Sequence, residues 1–167
     1  MIFKNKLDNS LYETLLKNPT DIEKIKSLVK QGADINAADE FGISIVIDLC
    51  SYPGLDSGDP DISDEDRFAG IKTAVELGAN IHQVTNENFN CLFLATYSYY
   101  PPLIKFLLES GVNPNLISEG ESVLDSARCD KWIEEMEKQA DNAEKMSEII
   151  KLLEQYGAKS SSEILGK

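Results

Sequence analysis

The side chains best equipped for chemistry are two acidic stretches, one histidine and three cysteines. From Asp56 to Asp66 the chain reads DSGDPDISDED, and clustered carboxylates are what a hard cation such as calcium requires. The spacing does not fit: a calcium loop begun at Asp59 puts Asp64 where the sharp-turn glycine belongs and Gly70 where the closing glutamate belongs. The stretch reads instead as a solvated loop whose last acids meet a helix N-terminus, where the helix dipole favours negative charge. Glu134, Glu135 and Glu137 alternate with Lys131, Lys138 and Lys145 on one helical run, the pattern of a solvated face. His82, the only histidine, has no nucleophile or second ligand spaced to accompany it. Cys50, Cys91 and Cys129 form no CxxC pair, and each lies in or beside an apolar stretch, which predicts buried, reduced thiols. No GxSxG, phosphate loop or HExxH occurs. The expectation is a non-enzyme with no catalytic residues, no metal and no cofactor. A metal-dependent enzyme built on His82 and the Asp56 to Asp66 loop is the remote alternative.

Composition narrows the partner. The 167 residues, 42% of them hydrophobic, suit one packed domain. Sixteen basic residues against 29 acidic ones leave a formal charge of −13, which repels nucleic acid phosphates and anionic membrane faces and favours a basic or neutral protein. No apolar run approaches membrane-spanning length, and the opening MIFKNKLDNS lacks the apolar core of a signal peptide. A cytoplasmic monomer is expected.

The elements that would position these residues follow from an internal repeat. Gly32-Ala33-Asp34-Ile35-Asn36, Gly78-Ala79-Asn80-Ile81-His82 and Gly111-Val112-Asn113-Pro114-Asn115 are versions of one pentapeptide, and Gly157-Ala158-Lys159 is a truncated fourth. Each glycine follows an amphipathic run and predicts a helix stop; Asp or Asn two residues on suits a turn. The glycines are 46, 33 and 46 residues apart. One surplus falls at 52–64, rich in Asp, Gly, Pro and Ser and read as an exposed loop; the other falls within 130–148, which has neither Gly nor Pro and reads as helix. Capping-box patterns at Ser10/Glu13, Thr20/Glu23, Ser63/Asp66 and Ser122/Asp125 start helices. The predicted helices are Leu11 to Lys17, Asp21 to Gln31, Ile43 to Ser51, Glu65 to Leu77, Cys91 to Ser98, Leu103 to Ser110, Ser122 to about Ala140 and Ala143 to Tyr156. The β-branched run Ile43 to Ile47 could alternatively be a strand, and 157–167 read as a loose tail.

These residues resemble the ankyrin repeat family, whose 33-residue unit reads D-x-x-G-x-T-P-L-H-x-A-A before a second helix ending L-L-L-x-x-G-A-D-V-N. Leu92, Ala95, Ile104, Leu107, Leu108, Gly111, Asn113 and Asn115 fall on that pattern; Asp39, Gly42 and Ser44, and Gly120, Ser122, Leu124 and Ala127, repeat its entry. The resemblance covers about residues 9 to 159. It implies an all-α fold, an ankyrin-repeat solenoid of antiparallel helix pairs joined by hairpin-like loops, with units of about 9–38, 39–84, 85–117 and 118–159 in one domain, 1–159, and a tail at 160–167. The consensus Thr-Pro-Leu-His is replaced by Ser44-Ile45-Val46-Ile47, Asn90-Cys91-Leu92-Phe93 and Ser122-Val123-Leu124-Asp125, so the loop hydrogen bonds that Thr and His supply must be lost or replaced.

In the family, partner-facing residues lie in the loop before the first helix of a pair and near that helix's end. Carried over, these are Glu40, Phe41, Ile43, Ser51 and Tyr52; Asn86, Glu87, Phe89, Tyr97 and Ser98; and Ser118, Glu119, Glu121 and Asp130. Aromatics alternate with carboxylates, a composition suited to a protein interface with a basic partner. The resemblance thus implies a non-enzymatic protein-protein interaction module. An immunity-type inhibitor of a basic toxin or nuclease is the alternative.

Overall fold

Every helix stop anticipated at a repeated glycine forms, and forms in the same way. In a computed structural model that describes residues 3–51, 62–129 and 140–166, Gly32, Gly78, Gly111 and Gly157 all have positive φ. The amide after each glycine donates to the carbonyl five residues back: Ala33 to Leu28, Ala79 to Ala74, Val112 to Leu107 and Ala158 to Leu153, at 2.9–3.1 Å. This is the left-handed Schellman termination, in which a residue without a Cβ satisfies the carbonyls a helix leaves open. The Asp or Asn two residues later then accepts from the amide two positions on: Asp34 from Asn36, Asn80 from His82 and Asn113 from Asn115, at 2.9–3.0 Å.

The chain divides into two compact units, Met1–Asn86 and Glu87–Lys167. The first holds α1 (Lys6–Lys17), α2 (Ile22–Lys30), α3 (Ile45–Cys50) and α4 (Asp64–Glu76), with α1 packed on α2 and α4, and α3 on α4. Phe3, Leu11, Leu15, Ile25, Ile45, Ile47, Leu49 and Ile71 are fully buried, and each such side chain contributes about 1.5–3 kcal/mol. The β-branched α3 is a helix and not a strand. Ser44 caps it by accepting from Ile47 N, and Ile45, Val46, Ile47, Leu49 and Cys50 are all buried, so packing overrides intrinsic propensity.

The second unit holds α5 (Cys91–Ala95), continued by a 3-10 turn at Thr96–Ser98, and α6 (Pro101–Glu109), which begins on proline. A two-stranded hairpin follows, β1 (Ile117–Ser118) with β2 (Glu121–Ser122), then α7 (Val123–Ala127), α8 (Ala140–Gln155) and α9 (Ser161–Leu165). Here α5 packs on α6, and α8 packs on both α6 and α7, burying Leu92, Leu103, Ile104, Leu107, Ile149 and Leu153. The two units echo each other at a spacing of 79 residues, which relates Ile25 to Ile104, Leu28 to Leu107, Gly32 to Gly111, Asn36 to Asn115 and Gly78 to Gly157.

The described residues are thus all-α apart from the short hairpin and isolated bridges such as that between Ala38 and Ser44. No helix among them is long and apolar enough to cross a membrane. Several boundaries differ from expectation. Helix α1 starts at Lys6, because Asn5 accepts from Leu7 N as its cap; Ser10 lies inside the helix, where its carbonyl accepts from Thr14 Oγ1 at 2.7 Å. Asp21, not Thr20, caps α2 by accepting from Lys24 N. The Ser63/Asp66 and Ser122/Asp125 caps form as expected. Helix α7 ends at Ala127, capped by Arg128, rather than continuing towards 140; the expected helix at 130–139 and most of the 52–64 loop lie outside the described residues. Cys50 and Cys91 are buried, whereas Cys129 is exposed because it stands beyond the α7 terminus.

The expected loose tail is partly ordered. Ser160 and Glu163 form a capping box, and Ser161 N donates to Asp125 Oδ2 at 2.7 Å, tying α9 to the start of α7. Burial pushes the Asp125 carboxyl up, but the donors from Ser161 and Ser122 outweigh it and hold the group below the usual aspartate range. Because the folded carboxyl ionises below its unfolded counterpart, its stabilisation is full above the unfolded pKa and is lost as pH falls through the lower folded value. In an NMR titration the Ser161 amide resonance should therefore move at a pH below the ordinary aspartate range, and Asp125→Asn should remove that transition. A Ser161 resonance that stays put through acid titration would show that α9 is not latched by this carboxylate.

Candidate functional site

The hairpin before α3 is built by one aspartate. Asp39 Oδ1 accepts from Phe41 N and from Ile43 N, both at 2.9 Å, while Asp39 N donates to the Ile43 carbonyl at 3.1 Å. The tip is then held from the side by Asn86. Its Nδ2 donates to the Glu40 carbonyl and its main-chain N donates to the Phe41 carbonyl, each at 2.9 Å. Gly42 leaves room for that approach. A Cβ there would lie 2.9 Å from Asn86 Oδ1 and 3.3 Å from Thr85 Cα, at a φ of +77° that L side chains rarely adopt. Glu40, Phe41 and Asn86 consequently present exposed side chains from a fixed backbone, with Ile43 half-buried.

At the far end of α3, Ser51 caps the helix and is half-buried, and its carbonyl accepts from Arg67 Nη1 of α4 at 2.9 Å. Tyr12 of α1 hydrogen-bonds the Asp48 side chain; burial, then the Asp48 charge and this bond, push its phenol far above the ordinary tyrosine range, so it stays a neutral donor. Tyr12, Asp48 and Arg67 thus join α1, α3 and α4 beneath Ser51. No sequence pattern marks these three, and only their contacts single them out. Tyr52 lies outside the described residues.

In the second unit the loop before α5 leans on the β1–β2 hairpin. Asn88 Nδ2 donates to the Ile117 carbonyl and Ser118 Oγ donates to the Glu87 carbonyl, both at 2.6 Å. The hairpin turns through Glu119 and Gly120, at φ +51° and +88°, the pair of positive values that a tight two-residue turn between twisted strands requires. Glu87, Glu119 and Glu121 are exposed. Ser118 is buried and supports Glu87 rather than facing outward. Asn90 caps α5 and ties it to the turn that follows α6: Oδ1 accepts from Phe93 N and Nδ2 donates to the Asn113 carbonyl, each at 2.9 Å.

The central aromatics are half-buried. Phe89 meets Phe93 edge to face with ring centroids 4.9 Å apart, and Tyr97 Oη shares a 2.7 Å hydrogen bond with Ser126 Oγ of α7. Ser98 is buried, its hydroxyl donating to the Ala95 carbonyl at 2.7 Å. Asp130 lies outside the described residues. Removing the phenol oxygen in Tyr97→Phe should cost about 1 kcal/mol, read as a lower urea midpoint with an unchanged slope. No change in the midpoint would mean that the Tyr97–Ser126 bond carries no net stability.

His82 is exposed, and its main-chain N donates to Asn80 Oδ1. Among the described residues, no group of three or more His, Cys, Asp or Glu side chains is placed to hold a metal ion. What the geometry offers within each unit is a braced loop tip carrying exposed acidic, amide and, in the first unit, aromatic side chains. No protein-family model matches the chain, and no curated protein matches it.

Proposed function

We propose that the chain is a non-enzymatic protein-interaction module of the ankyrin-repeat type, a solenoid whose loop tips and first helices contact a basic or neutral protein. The observation that carries this reading is the recurrence of one local assembly. A Schellman glycine, an Asx turn, a loop tip held by side chains from a neighbouring loop, and a Ser or Asn helix cap follow one another in the same order. Such assemblies spend their polar side chains on holding a backbone still, and the groups left over point outward. A surface of this kind recognises by shape and charge.

Affinity purification with mass spectrometry from the native cell tests the proposal, with the full chain and a Glu119→Lys, Glu121→Lys double variant as baits. A protein enriched over a bait-free control, and depleted when the hairpin charges or the other tip side chains are changed, supports it. No enriched protein, or one retained equally by every tip and first-helix variant, contradicts it.

A further inference from the structure

We propose that, on this reading of the chain as an interaction module, the hairpin tip before α3 is the anchoring contact, with Phe41 entering an apolar pocket on a positively charged protein. Isolated exposed apolar side chains are common and need no explanation. Here two of the four large ones among the described residues lie on the two loops that Asn86 joins. Phe41 is 60% exposed, and Val84, 44% exposed, lies two residues before the Asn86 that bonds the Phe41 carbonyl. The tip is also prepaid in conformational entropy, because Asp39 and Asn86 fix the backbone on both sides of the ring. An aromatic with two rotatable bonds on a fixed backbone loses little freedom on docking.

Charge selects the occupant. The segments 31–51 and 73–104 contain no lysine or arginine, and the tip itself carries Asp39 and Glu40. The three basic residues between 31 and 127 are Arg67 and Lys72 on α4 and Lys105 on α6. A second copy of the chain docking here would set these carboxylates against their own kind and bring a charge of −13 onto −13. Nucleic acid and anionic membranes are repelled by the same field. A cationic protein surface is attracted by it, with a pocket for the ring supplying the apolar contact.

The test uses the full chain and the protein captured above, purified and measured by surface plasmon resonance at two salt concentrations. The captured protein should be net positive. Phe41→Ala should weaken binding on the order of 30-fold, the scale of an interface hot spot, mainly through faster dissociation. Added salt should slow association of wild type and variant alike. Phe41→Leu, which keeps apolar bulk, should recover most of the affinity. Because Phe41 is exposed, all variants should melt with the wild type, which separates binding from folding. Affinity unchanged by Phe41→Ala, or a net negative partner, overturns the inference. If Glu119→Lys with Glu121→Lys abolishes binding while Phe41→Ala does not, the anchor is wrong and the module reading survives. Insensitivity to every tip and first-helix variant sinks both.

Discussion

Replacing Gly70 with alanine should destabilise the first unit by about 3 kcal/mol and lower the melting temperature of the 167-residue chain by roughly 6–12 °C. Gly70 is buried in the interior of α4, where alanine is intrinsically the better helix former by about 0.5–1 kcal/mol. Packing reverses that preference. A Cβ built at Gly70 lies 2.2 Å from the Leu15 carbonyl oxygen and 3.2 Å from its carbon, and both atoms are main chain of α1. A flexible side chain could swing aside, but a helix backbone cannot, so α1 and α4 must separate. They carry Leu11, Leu15 and Ile71, all fully buried, and the separation opens gaps around each. Gly32→Ala is the control, since nothing lies within 4 Å of its Cβ and only the positive φ opposes the substitution, at about 1–2 kcal/mol. Circular-dichroism melts of the two variants separate clash from backbone strain. A Gly70→Ala protein as stable as wild type would mean that α1 and α4 do not approach this closely.

Asn36→Ala should cost about 2 kcal/mol, roughly 1 for each of two hydrogen bonds. The Asn36 side chain reaches the next glycine turn along the chain, where Oδ1 accepts from Asn80 N at 2.7 Å and Nδ2 donates to the Gly78 carbonyl at 3.3 Å. Asn115 repeats the clamp in the second unit, accepting from Lys159 N at 2.8 Å and donating to the Gly157 carbonyl at 3.1 Å. Asn115→Ala should therefore cost a similar amount, and Asn36→Asp should fare worse than its small change suggests, because it sets a carboxylate oxygen against the Gly78 carbonyl. His82, at the equivalent place in the second pentapeptide, is exposed, and His82→Ala should change stability by no more than about 0.5 kcal/mol. Urea midpoints of these four variants check the ranking. Equal midpoints for Asn36→Ala and His82→Ala would remove the clamp from the account.

The clamps mark the boundary of what the sequence could say. Local rules read well: the pentapeptide placed all four helix stops, and Ser63/Asp66 and Ser122/Asp125 placed two helix starts, because capping is decided within four residues of chain. Ser10 and Thr20 carried the same signature and do not cap, since Asn5 and Asp21 stand nearer the positions where packing starts the helices. Bonds across more than 40 residues left no local trace. Asn36 and Asn115 read only as positions of the repeated pentapeptide, and the Tyr12, Asp48 and Arg67 group beneath Ser51 carried no motif at all. The period of 79 residues could have exposed the clamps, as it aligns both asparagines and both accepting glycines. Among the candidate residues, Glu40 and Phe41 in the first unit and Glu87, Glu119 and Glu121 in the second are exposed, while Ser98 and Ser118 are turned inward by main-chain carbonyls that no pattern of residue types could locate.

Under the proposed function, loop tips and first helices hold a protein partner. NMR spectra of the full chain, recorded as the captured protein is added, test it most directly. Amide signals at 39–43, 85–90 and 119–121 should shift or broaden first, while those around Lys72 on α4, Glu109 on α6 and Lys151 on α8 stay fixed. Perturbation confined to those second-helix residues, with the loop tips unmoved, would contradict it.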